Sequence, residues 1–125
     1  MEISFFNPQD HSGNIKAAIQ TSGKLGFTEA AIESLEISTI KGMKIGINRA
    51  DPEDRNLYVV FVDASDNDAF RINKAGKYYY VNTKNLFDKM QLPYTTSRIS
   101  FDIIEIEVNG EKMYKFIYKE KKKKS

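Results

Sequence analysis

Basic side chains dominate the stretch from Phe70 to Gln91, where the only acidic residue is Asp88. Lysine and arginine at this density are the groups with which proteins neutralise the phosphates of nucleic acid, because they displace the counterions that surround the polymer. The sequence therefore predicts that any phosphate contact made by the folded body falls here. The candidate residues are Arg71, Lys74, Lys77, Lys84 and Lys89.

Three consecutive tyrosines follow the Gly76-Lys77 pair inside this stretch. On a strand, Tyr78 and Tyr80 share one face and Tyr79 takes the other, so at least one ring could stack on a nucleobase. Tyrosine is also a common strand residue that buries its ring and keeps its hydroxyl in water. The second interpretation is the more common one for such a pattern.

Side chains that could support catalysis or hold a metal are few. The single histidine, His11, lies in a polar turn, and the chain has no cysteine. The segment Asp63–Asp68 begins like a calcium loop, but Asp68 stands where the sharp turn needs glycine, and Lys74 stands where a bidentate glutamate is needed. We expect a solvated linker there, and neither an enzyme, a metal site nor a cofactor.

The composition is that of a globular domain. The 125 residues are 41% apolar and 29% charged, which suits one domain with a real core. No apolar run reaches the roughly 20 residues that a membrane helix needs. The N-terminal residues lack the basic and long apolar regions of a signal peptide, so we expect a cytoplasmic protein with no membrane contact.

The basic charge is concentrated at one end of the chain. Residues 119–124 contain five lysines and one glutamate, a net +4, which leaves −2 for the rest of a chain whose total is +2. A terminal run of this kind predicts a disordered tail over residues 119–125, following a single domain over residues 1–118. It would be either a solubilising end or a nonspecific arm for phosphate.

A tandem repeat organises the domain. Gly23-Lys24 recurs as Gly76-Lys77 at a spacing of 53, and the apolar position Leu35 recurs as Met90 at a spacing of 55. The copies cover about residues 15–62 and 69–118, and an extra strand precedes them at residues 1–7. Each copy predicts two strands, a short helix and two more strands.

Caps and turns mark the boundaries of these elements. Thr28 is a good cap for the first helix, and Asn82 or Thr83 for the second. Asn109-Gly110 is the strongest two-residue signal for a hairpin. The apolar positions change phase between Ile103 and Ile104, which predicts a bulge.

This order of elements resembles the swapped-hairpin transcription factors of the AbrB, MazE and MraZ families. The resemblance implies a mostly β fold with two short helices, in which tandem β-β-α-β-β repeats form a pseudo-twofold swapped-hairpin barrel. It favours a monomer that supplies its own pseudo-twofold partner, with a dimer as the alternative. The residues that carry the likeness are Gly23, Lys24, Phe27, Leu35, Ile37, Ile45 and Ile47.

The resemblance also implies a function. Members of these families bind DNA through basic residues in the glycine turn and on the short helix, and of that set this chain has Lys24. Thr28 stands in place of the usual proline, and Ile32 and Glu33 in place of paired arginines. We therefore expect a small DNA-binding or transcription-regulatory protein. The alternative is a protein-interaction module on the same scaffold that has lost DNA binding.

Overall fold

The computed structural model describes residue 3 and residues 15–63 and 68–123. The expected N-terminal strand, His11 and most of the Asp63–Asp68 linker lie outside the described residues. Within those ranges the chain is mostly strand with two short helices, as predicted. The strands are β1 (Lys16–Ile19), β2 (Leu25–Phe27), β3 (Gly42–Gly46), β4 (Leu57–Val62), β5 (Phe70–Ala75), β6 (Tyr78–Val81), β7 (Ser97–Val108) and β8 (Glu111–Lys122).

These strands form one closed antiparallel sheet. The order around the ring is β1-β2-β6-β5-β3-β4-β8-β7, and β7 pairs again with β1. If each strand of the first half is exchanged with its counterpart in the second half (β1 with β5, β2 with β6, β3 with β7 and β4 with β8), every strand keeps the same pair of neighbours in the ring. Each half of the chain therefore covers the strand edges of the other half, through the pairs β2 with β6, β4 with β8, β1 with β7 and β3 with β5.

The two helices follow β2 and β6 and occupy six residues each, as α1 (Glu29–Ser34) and α2 (Lys84–Lys89). Thr28 caps α1, because its Oγ1 accepts a hydrogen bond of 3.2 Å from the amide of Ala31. Thr83 holds the cap position of α2, but its hydroxyl donates to the Gly23 carbonyl at 2.9 Å. The predicted cap residue thus fastens α2 to the opposite half of the chain.

Both helices stop at a residue with left-handed backbone geometry. Glu36 has φ 52° after α1 and Gln91 has φ 58° after α2. The amide of Leu92 then donates to the Phe87 carbonyl at 3.1 Å, and that of Gln91 to the Asp88 carbonyl at 3.0 Å. This is the Schellman arrangement, which satisfies carbonyls at the helix end. A 3₁₀ turn, Ile37–Thr39, follows α1.

A chain of aromatic rings fills the centre of the sheet and joins the two halves. Phe101 of β7 lies 6.3 Å from Phe87 of α2 and 6.2 Å from Phe116 of β8, measured between ring centroids. Phe116 in turn lies 6.5 Å from Phe27 of β2, edge to face. Phe87, Phe101 and Phe116 are fully buried, so they supply much of the apolar burial that stabilises the fold.

The long β7–β8 hairpin differs from the sequence prediction in two respects. Its pairing is continuous from Ser97 with Lys122 to Val108 with Glu111, so the bulge predicted between Ile103 and Ile104 is wrong. The phase changes where the hairpin runs past Lys16, the first residue of β1, which lies opposite Asp102. Within the described residues, the last backbone bond from β7 to the segment before β1 joins the amide of Ile103 to the Ile15 carbonyl at 3.0 Å.

Beyond that point the hairpin forms an arm of residues 104–113. Its apolar side chains lie on the face opposite to the core, and Ile104 and Val108 remain 44% and 39% exposed. The phase change therefore marks where the buried face of the strand ends.

The second difference concerns the lysine-rich end. Residues 119–122, expected as the start of a disordered tail, belong to β8 and pair with Ser97–Ser100 of β7. The physical reason is the turn at Asn109 (φ 52°) and Gly110 (φ 82°), which sets two strands of equal length side by side. Because β7 begins at Ser97, its backbone groups need partners as far as Lys122.

Truncating the central ring of α2 tests this core. Phe87→Ala should lower the free energy of unfolding by about 3 to 5 kcal/mol, because it removes a buried ring and leaves a cavity. Asn85→Ala is the control, since Asn85 is exposed on the same helix and should change stability by less than about 0.5 kcal/mol. Urea denaturation followed by circular dichroism measures both. Equal midpoints for Phe87→Ala and wild type would contradict this packing.

Ring closure within one chain leads to an expectation about assembly. Light scattering should give a mass near 14.3 kDa, that of a single chain, because each half already completes the other. A stable mass of twice that value would mean that strands are exchanged between two molecules.

Candidate nucleic-acid interface

The six basic residues predicted from the sequence fall at separate places in the fold. Lys24 and Lys84 lie at the turn around Gly23, and Arg71 and Lys74 line one cleft. The other two, Lys77 and Lys89, are exposed in the β5–β6 turn and in the last turn of α2.

The turn around Gly23 is a compact structure. The amide of Gly23 donates to the Gln20 carbonyl and that of Gln20 to the Lys24 carbonyl, both at 2.8 Å. Gly23 has φ 86°, and a side chain there would meet Lys84 Cβ at 2.9 Å. Glycine is therefore required both by the backbone angle and by the close approach of α2.

Both cations at this turn already have partners. The Lys84 ammonium donates to the Asp88 carboxylate at 2.6 Å. This hydrogen bond raises the pKa of Lys84 and lowers that of Asp88, so the lysine charge is locally offset. Lys24 Nζ lies 4.8 Å above the centre of the Tyr80 ring.

The tyrosines beside Lys24 also contact one another. Tyr78 and Tyr80 stack with centroids 6.2 Å apart and an interplanar angle of 18°. The Tyr78 hydroxyl accepts a hydrogen bond from Gln20 and lies over Gly26, whose missing side chain makes room for it. Lys24 covers Tyr80 while Tyr78 is fixed against β1 and β2, so the pair is an internally packed cluster on the outer surface.

A cleft of about 850 Å³, here the β5 cleft, lies between β5 and the segment that follows the 3₁₀ turn. Its cations are Lys41, Arg71 and Lys74, all exposed, and Asp63 is the acidic residue in its lining. Two backbone bonds fix Lys41, from its amide to the Val62 carbonyl at 3.2 Å and from the Ile72 amide to its carbonyl at 3.0 Å. Lys74 Nζ lies 6.0 Å from the centre of the Tyr79 ring. The cleft thus holds three cations on a fixed backbone.

A second cleft, the β8 cleft, has a volume of about 880 Å³ and lies between the end of β1, the start of β7 and the end of β8. It contains basic residues that the candidate set omitted. Arg98 of β7 lies directly opposite Lys121 of β8, and Ser100 lies opposite Lys119. Lys123 also lines the cleft, and its Nζ donates to the Thr95 carbonyl at 3.2 Å.

The sequence did contain a signal for this cleft. A two-residue turn at Asn109-Gly110 sets Val108 opposite Glu111, and counting outward from there places Arg98 opposite Lys121. A charge run without a strand register gives no partner for Arg98, so the run by itself does not indicate this cleft.

The acidic residue in the lining of the β8 cleft is Glu120, which is held by neighbouring side chains. Its carboxylate accepts hydrogen bonds from the Tyr118 hydroxyl at 2.6 Å, from Ser97 at 3.4 Å and from Arg55 at 3.4 Å. Burial raises the pKa of Tyr118 to about 12, and the bond to Glu120 contributes in the same direction. These contacts direct the carboxylate toward Arg55 and Tyr118.

Other kinds of site find no support in the described part of the chain. No group of three or more histidine, cysteine, aspartate or glutamate side chains is arranged there to hold a metal ion. Among the same residues, no helix is both long and apolar enough to cross a membrane. Comparison with protein-family models, with curated proteins and with solved structures gives no match to this chain.

The raised pKa of Tyr118 predicts a pH dependence of stability. Tyr118 ionises near pH 10 in the unfolded chain and near 12 in the fold, so its contribution is complete below pH 10 and is lost as the pH rises from 10 to 12. In the variant Tyr118→Phe, the free energy of unfolding should therefore fall less between pH 10 and pH 12 than it does in wild-type protein. The substitution should also remove the component that titrates near pH 12 from the tyrosinate absorbance at 295 nm. Loss of a component that titrates near pH 10 instead would show that Tyr118 ionises normally.

Proposed function

We propose that this chain is a small DNA-binding, transcription-regulatory protein of AbrB/MraZ-like type, acting in the cytoplasm. It contacts phosphate through the second half of the chain and through the lysine-rich end of β8. The observation that carries the proposal is the β5 cleft, where Lys41, Arg71 and Lys74 are held on paired backbone. Two of these three residues belong to the set predicted from sequence.

The topology supports the family part of the proposal. A pseudo-twofold barrel of two swapped hairpins requires strand pairs that cross between the copies, and the cyclic strand order is unchanged when the halves are exchanged. Thr28 and Thr83, at the start of the two helices, and Glu36 and Gln91, just after their ends, each recur at a spacing of 55. We take these as the marks of a tandem repeat within a monomer.

One observation favours the alternative, a protein-interaction module. The arm of residues 104–113 carries exposed Ile104 and Val108 with half-buried Ile106 and Met113 on one face. Apolar side chains grouped in this way are typical of surfaces that contact another protein.

Binding of labelled DNA decides between the two functions. The test uses fluorescence anisotropy with duplex and single-stranded oligonucleotides over a series of salt concentrations. Arg71→Gln combined with Lys74→Gln should weaken binding and reduce the salt slope by about 2, since each lost phosphate contact reduces the slope by about 1. Substitutions suit this test better than a truncation after Tyr118, which would remove strand residues that pair with β7.

Arg49→Gln combined with Lys112→Gln is the matched control. It removes the same charge from a loop and from the arm, away from the β5 cleft. If this variant lost as much affinity as the cleft variant, binding would follow net charge and the proposed site would be wrong. If wild-type protein bound neither form of DNA, the regulatory function would be rejected in favour of the interaction module.

A further inference from the structure

The β7–β8 register sets two cations, Arg98 and Lys121, side by side. Arg98 and Lys121 are directly opposite each other and both are exposed. Neither forms an ion pair with a residue in the described ranges. Like charges at directly opposed strand positions repel, so this pair destabilises the hairpin unless an anion lies between them.

The next outward-facing pair along the hairpin, Ser100 and Lys119, lies at the floor of the β8 cleft. Ser100 lies opposite Lys119 on one side and opposite Ala18 of β1 on the other. The small side chains of Ala18 and Ser100 leave the space open, and the Ser100 hydroxyl is a hydrogen-bond donor. The Lys119 ammonium contacts the Asp102 carboxylate, to which Lys16 is also close at 3.7 Å. Lys119 is thereby held beside the cleft.

Among the described residues, the net charge of the cleft lining is positive. These residues include Arg98, Lys119, Lys121 and Lys123, against the carboxylate of Glu120. That carboxylate is engaged by Arg55 at 3.4 Å and by the Tyr118 hydroxyl at 2.6 Å. Arg98 and Lys121 therefore keep their charge for a ligand, in a space of about 880 Å³ that falls within the usual range of ligand-binding pockets.

We propose that the β8 cleft is a phosphate-binding site that takes the phosphodiester backbone of a nucleic acid. Arg98 offers a planar fork of donors that matches two phosphate oxygens, Lys121 a compact charge, and Ser100 a neutral donor. The proposal rests on the proposed function for the identity of the polymer. In this proposal the lysines at the end of β8 contact phosphate from a paired strand and not from a flexible tail.

The position of this cleft in the ring supports the assignment. The β8 cleft is built from β1, the start of β7, the end of β8 and the segment after α2. The β5 cleft is built from β5, the start of β3, the residue after β4 and the segment after α1, with Tyr79 of β6. Apart from Tyr79, exchanging the two halves of the chain converts one set of elements into the other. The protein thus carries two basic clefts at equivalent places, each with an arginine and at least two lysines.

A titration with inorganic phosphate tests the site directly. Amide spectra of the full chain should show saturable shifts at residues 97–100 and 119–122, and sodium chloride at the same ionic strength should not produce them. Arg98→Gln combined with Lys121→Gln should abolish these shifts. Phosphate shifts equal to the chloride shifts in wild-type protein would overturn the proposal.

The thermal midpoint provides a second readout. Without phosphate, the Arg98→Gln, Lys121→Gln variant should melt at or above the wild-type temperature, because it loses a repulsive pair. Phosphate should raise the midpoint of wild-type protein more than that of the variant, because the variant has lost one of the two proposed sites and a folded state is stabilised only by the ligand that it binds. An equal rise in both proteins would contradict the site.

DNA binding then identifies the polymer. The same variant should reduce the salt slope by about 2, so that a fourfold rise in salt weakens wild type roughly tenfold more than the variant. Arg49→Gln combined with Lys112→Gln again serves as control, because Lys112 lies about 30 Å along β8 from Lys121. Equal losses in both variants would overturn the assignment to nucleic acid.

The two proposals can fail separately. If wild-type protein binds phosphate in the cleft but no DNA, the site stands as a phosphate site and the regulatory function is rejected. If it binds DNA with no change in the Arg98→Gln, Lys121→Gln variant, the function stands and this site is rejected.

Discussion

The register of the β7–β8 hairpin determines both the core and the charged surface of this protein. Asn109 and Gly110 adopt the left-handed angles of a tight turn, and the pairing then runs without interruption to Ser97 and Lys122. Because strand side chains alternate between faces, the register that buries Phe101 and Phe116 also puts Arg98 opposite Lys121 outside. A slip of one residue would lose both arrangements together.

Closure of the sheet makes the two halves of the chain mutually dependent. Each half alone would leave strands such as β2 and β4 with an unpaired edge, and such edges favour association with other chains. The other half pairs with both strands, and the contact between the rings of Phe27 and Phe116 crosses the same boundary. The contact between the two halves therefore supplies both backbone pairing and apolar burial, so we expect the two halves to unfold together.

The sequence predicted the positions of the strands and helices well, but it predicted poorly which neighbouring strands each of them would contact. Glycine turns, threonine caps and apolar spacing located the strands and both helices, because these signals are local. The bulge predicted at Ile103 is wrong, because the phase change there depends on where the neighbouring β1 begins. The lysine-rich strand was missed because lysine has low strand propensity, which pairing with β7 overrides. Arg98 gained significance only once its cross-strand neighbour was known.

The location of charge also separates this chain from the pattern implied by its resemblance. At the glycine turn, Lys24 lies over Tyr80 and Lys84 is bound to Asp88, so these cations are already used within the fold. In the β8 cleft, Arg98 and Lys121 oppose each other without an acidic partner in the described ranges. The repulsion between these two side chains destabilises the hairpin, and a bound anion would reduce it. The stability of the hairpin is therefore linked to ligand binding. Uncompensated positive charge therefore favours the β8 cleft over the turn and the helix as the place of the proposed phosphate contact.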